Sequence, residues 1–118
     1  MIRLEEFQGR RERQVLSSVE LKGREIGDAL RALPYALDLS YPGIEKNCNF
    51  IPHHRIVAVA EDGGTTNLEL CFTCDDLSVR NGTDRHASIV AIPFAWRGLL
   101  RRLFTSHGIP VRDGYDDF

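Results

Sequence analysis

The stretch RIVAVAEDGGTTNLELCFT, residues 55–73, constrains the fold more than any other part of the chain. Two β-prone runs, one continuously apolar and one alternating, flank an Asp-Gly-Gly turn signal, so the chain must double back as an antiparallel hairpin. A second turn signal, RNGT, joins the following SV to DRHASIVAI and extends the hairpin into a meander. The last element is a helix. Pro93 suits a first helical position, Trp96, Leu99, Leu100 and Leu103 mark one face, and Gly108 with Pro110 supplies the stop.

The amino-terminal half is less patterned. Ser17 and Glu20 have capping-box spacing, and Ile26, Ala29, Leu30 and Leu33 recur at helical intervals before Pro34, which predicts a helix. Gly23 and Gly27 push its start toward Arg24, which leaves VLSSVEL free to be a strand. Two prolines, Pro42 and Pro52, with Gly43 make residues 35–52 a connecting loop that carries Cys48. The expected fold is α+β, an antiparallel meander of three to four strands packed against the C-terminal helix and an N-terminal one. It forms a single domain over residues 1–118, with 1–13 and 112–118 frayed.

Composition narrows the function classes. A chain of 118 residues, 42% hydrophobic and 27% charged, holds one modest core and has no apolar run long enough for a membrane. A formal net charge of -2 makes nucleic acid an unlikely partner for the molecule as a whole. The amino terminus, MIRLEEFQGRRERQ, does not read as a secretory signal, so the cytoplasm is the expected compartment. Three cysteines cannot all pair within one chain, and a reducing compartment keeps thiols free.

The cysteines and histidines are the chemistry-bearing residues. A two-residue turn at Asp62 and Gly63 sets His54 opposite Cys71, and a turn one residue later sets His53 opposite Cys74. Either register puts Val57, Val59, Leu68, Leu70 and Phe72 on the core face, with His54, Cys71, Ile56, Ala58 and Glu69 on the other. A straight strand therefore separates Cys71 from Cys74, and one tetrahedral site needs a bend within CFTC. With that bend, Cys48, His54, Cys71 and Cys74, with His53 as alternative, form a ligand set of the type structural zinc prefers. The competing reading makes the thiols small packing groups and the histidines hydrogen-bonding groups of the hairpin. DDLSVRNG follows the second cysteine and reads as strand and turn, not the helix that a thioredoxin-like pair requires.

CNFIPHHRI, then a polar hairpin, LELCFTCDDLSV and LFTSHGIPV together resemble a widespread group of small uncharacterised bacterial proteins. Their pattern is C-x3-P-x-H, a hairpin, C-[FY]-x-C and a closing helix followed by G-[IL]-P. The resemblance covers residues 48–111 and rests on Cys48, Pro52, His54, Cys71, Phe72, Cys74, Gly108 and Pro110, with Arg55 where a glycine is frequent. It favours His54 over His53 and implies no activity.

No nucleophile elbow, phosphate-binding loop, dinucleotide fingerprint or H-E-x-x-H helix occurs in the chain. The expected function is therefore binding to another protein, as an immunity or antitoxin-like partner of a toxin or effector. Arg97, Arg101 and Arg102 on the outer side of the last helix are the candidate partner-binding residues. A metal-dependent or thiol-redox protein using the Cys/His cluster is the alternative, and a nucleic-acid adaptor using the arginines a further one.

Overall fold

The computed structural model describes residues 1–9, 13–24, 49–81, 89–92 and 94–112. Among these residues six strands, β1 (Ile2–Gln8), β2 (Gln14–Leu21), β3 (His54–Val59), β4 (Thr65–Cys71), β5 (Asp76–Asn81) and β6 (Ile89–Ala91), precede the helix α1 (Phe94–Thr105). The strands form a single sheet in the order β2-β1-β3-β4-β5-β6, with every neighbouring pair antiparallel. The expected meander is present as β3 to β6, but the three- to four-stranded sheet with two helices is corrected. The amino terminus adds two strands. Ser17 and Glu20 lie in β2, where Ser17 faces Glu6 and Glu20 faces Arg3 across β1, so their spacing caps no helix. Among the described residues α1 is the one complete helix; Arg24, where the expected first helix starts, is helical, and residues 25–33 of that helix lie outside the described set.

Within the stretch 1–13 that was expected to fray, Ile2–Gln8 form strand β1, and residues 10–12 lie outside the described set. Alternation in IRLEEFQ puts Ile2 and Leu4 into the core from β1, which is hydrogen-bonded on both edges. A sheet bond on each side and a buried apolar face are what hold a terminus down. Arg112 is bonded to Glu6, and residues 113–118 lie outside the described set.

Register is the main correction in the central hairpin. Ala60 N–H donates to the Gly64 carbonyl at 2.8 Å, and Gly63 N–H donates to the Ala60 carbonyl at 3.0 Å. Gly63 has a φ of 87°, the left-handed residue that closes a three-residue loop with a bulge. The observed register is displaced by one residue from that of an Asp62-Gly63 turn and by three from that of a Gly63-Gly64 turn, both odd, so parity inverts between the strands. His54 pairs with Leu70 and Ile56 with Leu68, so neither histidine meets a cysteine in the ladder.

Ile56 and Ala58 therefore join Leu68, Leu70, Leu77 and Val90 on the core face, while Val57 turns to the other side with Arg55 and Glu69. Helix α1 covers the core face with Trp96, Leu100, Leu103 and Phe104. Leu99, expected on that stripe, is instead 44% exposed. The helix ends as Gly108, with φ 79°, donates to Thr105 O and Ile109 N–H donates to Phe104 O at 3.0 Å. That is a Schellman cap with its usual apolar contact, since Phe104 and Ile109 are both fully buried. No helix among the described residues is long and apolar enough to cross a membrane.

Candidate functional site

CFTC is itself a turn. Cys71 ends β4 and pairs with Asp76 at the start of β5, so Phe72, Thr73, Cys74 and Asp75 make the connection. Asp75 has φ 55°, a left-handed conformation that aspartate tolerates better than most side chains. The loop sends Phe72 into the core, where its ring meets His54 at 5.0 Å and Phe104 at 5.9 Å, both edge to face. Cys71, one residue from Leu70, faces away from α1 as a buried free thiol.

Cys74 is disulfide-bonded. Its Sγ lies 3.2 Å from the Asn49 carbonyl oxygen, a sulfur–oxygen contact because a disulfide sulfur has no proton to donate. Cys48 lies outside the described residues. Among the described residues no group of three or more His, Cys, Asp or Glu side chains is arranged to hold a metal ion. Chemistry adds a condition to the zinc expectation. A metal-binding cysteine is a thiolate, so Cys74 can serve as a ligand in the reduced chain alone.

Both histidines are hydrogen-bonded to carbonyls. His53 Nδ1 lies 3.0 Å from Phe7 O and His54 Nε2 lies 2.8 Å from Pro110 O, and since a carbonyl only accepts, both nitrogens carry a proton. His54 also faces Glu6 across the β1–β3 ladder. Glu6 is 0% exposed and accepts from Arg112 Nε at 2.9 Å, so the segment after α1 is held across the sheet by two polar contacts. No local sequence signal could reveal that pairing, because Glu6 and Arg112 sit at opposite ends of the chain.

Burial lowers the His54 pKa below its ordinary value of 6.5, against the opposing pull of the Pro110 bond and Glu6. As pH falls below 6.5 the unfolded chain takes up a proton at this position before the folded one does. Stability contributed by the neutral ring is thus present above that pH and lost below it. His54→Gln keeps an N–H for Pro110 but removes the titration, so its denaturation midpoint should fall less steeply with acid than that of the wild type. An identical slope would assign the acid sensitivity to other groups.

The arginines of α1 grip the turn. Arg97 Nη1 lies 3.4 Å from Asp75 Oδ2, and Arg101 Nη2 donates to Phe72 O at 2.9 Å. Arg101 is also 3.9 Å from Asp75 Oδ1, too long for a hydrogen bond. Its guanidinium lies 5.2 Å over the Phe72 ring, and that of Arg97 lies 5.5 Å over the ring of Phe94. Arg102 is exposed. Two of the three expected partner-binding arginines therefore also fasten the helix to CFTC. Phe94, which sequence reasoning passed over, is 84% exposed. Its signal was available, since it is a large apolar residue off the stripe that buries α1.

A cleft of about 200 Å³ opens beside this surface, walled by the turn, by His53 and His54, and by Arg101 and Arg112. The opposite sheet face carries two buried carboxylates under partly exposed arginines, Glu5 paired with Arg3 and Arg55, and Glu69 with Arg13. The guanidiniums of Arg13 and Arg55 both lie over the Phe7 ring, each 5.0 Å from its centroid. These charges satisfy one another and read as packing of that face. Comparison with known proteins finds no matching family model, no matching curated protein and no matching solved structure.

Proposed function

We propose that this chain is a non-catalytic binding protein of the immunity or antitoxin kind. It engages its partner through the exposed face of α1 and the adjoining CFTC turn. The observation that carries this reading is Phe94, 84% exposed on a helix end whose neighbour Arg97 covers its ring and reaches the turn. Exposed aromatic and arginine side chains on a rigid element are the groups that dominate protein interfaces. Arg102, also exposed, enlarges the outward side of the helix. Beside the CFTC turn, the groups that acid–base chemistry would use are engaged, His53 and His54 with backbone carbonyls and Glu6 with Arg112.

The test is copurification with the products of neighbouring genes, followed by affinity measurement on the complex found. Phe94→Ala should weaken that complex by about thirtyfold, the size of one interface hot spot. Failure to bind any neighbour's product, or an unchanged affinity for Phe94→Ala, would sink the reading.

One observation favours a second reading. The Cys74 disulfide makes a thiol-redox role chemically open, whereas a zinc centre that includes Cys74 belongs to the reduced chain, and His54 and Cys71 of the expected ligand set stand on opposite faces of the sheet. A cytoplasmic working place likewise requires that this bond be reduced there or resist the cellular thiol pool. Trapping thiols in freshly lysed cells decides between those states.

A further inference from the structure

The cleft beside the CFTC turn has a definite charge and a definite size. Two guanidiniums, those of Arg101 and Arg112, line it against one carboxylate, that of Asp75, and behind this lining Arg97 pairs with Asp75 and the buried Glu6 with Arg112. The local balance is therefore positive, although the chain as a whole is formally -2. Arg97 and Asp75 make the closer pair at 3.4 Å, and Arg112 serves Glu6. Arg101 is differently placed. It gives Nη2 to Phe72 O, stands beyond hydrogen-bond reach of Asp75, and keeps its side chain 46% exposed. A guanidinium has five N–H donors in a planar fork, so one backbone bond leaves donors for a second, planar acceptor.

Volume limits what that acceptor can be. About 200 Å³ is below the usual range for cofactor or nucleotide pockets and accommodates a single short side chain. The walls are also held in place, by the Arg97 and Arg101 contacts on the turn and by His54 on Pro110. A pre-formed cationic cleft of this size suits a planar anion on a short stem.

The geometry points to this cleft as the socket for a carboxylate side chain, aspartate or glutamate, of the bound protein partner, read by the Arg101 guanidinium with Arg112 adding charge. This assignment rests on the protein-binding reading above and names the chemistry at the centre of its surface. Phe94 supplies apolar contact on the helix, and the cleft supplies register, which is how a charge pair most often contributes to an interface.

The experiment uses the full chain labelled with nitrogen-15 and titrated with N-acetylglutamate amide, with acetate and inorganic phosphate as comparison probes. Saturable shifts are expected at the Arg101 side-chain N–H and at the amides of Thr73 and Asp75, with the carboxylates binding more tightly than phosphate. Arg101→Gln should weaken carboxylate binding about tenfold or more, the effect of one charge-assisted fork. Arg101→Lys keeps the charge without the fork and should fall between the two, which also guards against a glutamine variant that disturbs the turn. Absence of saturable shifts in the wild type, undiminished binding by both Arg101 variants, or preference for phosphate would overturn the assignment. Those outcomes are independent of the Phe94→Ala affinity, so loss of the carboxylate socket and loss of the protein-binding surface are told apart.

Discussion

Phe104→Ala should destabilise the protein by about 3–5 kcal/mol, the cost of removing a fully buried phenyl ring and leaving a cavity. Phe104 is 0% exposed, and its ring is 5.0 Å from that of His54 and 5.9 Å from that of Phe72. It thus joins α1, the amino end of β3 and the CFTC turn at one point. Its carbonyl accepts from Ile109, so the residue that starts the helix cap also plugs the core. Chemical denaturation measures the loss, and Phe94→Ala is the contrast within the same helix. With its side chain in solvent, Phe94 should change stability by no more than about 0.5 kcal/mol. A cost below about 1 kcal/mol for Phe104→Ala would mean that α1 does not seal this face of the sheet.

That contrast shows where sequence reading reaches and where it stops. The meander and the last helix were legible because turn signals and a 3.6-residue period are local properties. Strand β1 was missed because IRLEEFQ has charged residues at Arg3, Glu5 and Glu6, which read as solvated surface. In the fold Arg55 pairs with Glu5 and Arg112 with Glu6, and neither lies nearby in sequence. Register failed for a different reason. Asp62, Gly63 and Gly64 allow loops that differ by one residue, and one residue exchanges the two faces of a strand. The left-handed Gly63 selects the three-residue loop, which moves His54 from the expected cysteine-bearing face to the core. Within the candidate site, the need for a bend in CFTC followed from strand alternation, and the bend is the turn itself. The grip of Arg97 and Arg101 on that turn was not legible, because α1 and β4 meet only through the tertiary fold.

Reduction of the Cys74 disulfide should destabilise the protein by about 2–5 kcal/mol, the range for loss of a native disulfide from a small domain. Such a bond acts chiefly by restricting the unfolded chain, and here it fastens a turn that also carries Phe72 into the core. Cys74→Ser should reproduce the loss, while Cys71→Ser should not reproduce the reductant effect, because Cys71 carries a free thiol. Thermal or urea unfolding with and without reductant measures the difference. Peptide mapping without reduction should recover Cys74 cross-linked and Cys71 unlinked. The same reduced protein is the sample in which to add zinc. Recovery of the lost stability by zinc would mean that the thiols hold a metal when the disulfide is open, as binding to the folded state alone requires. An unfolding midpoint that ignores both reductant and Cys74→Ser would remove the disulfide from any account of how this turn is held. The surface around Asp75 would then depend on the Arg97 and Arg101 contacts, which sit at the protein surface and lose strength as salt is added.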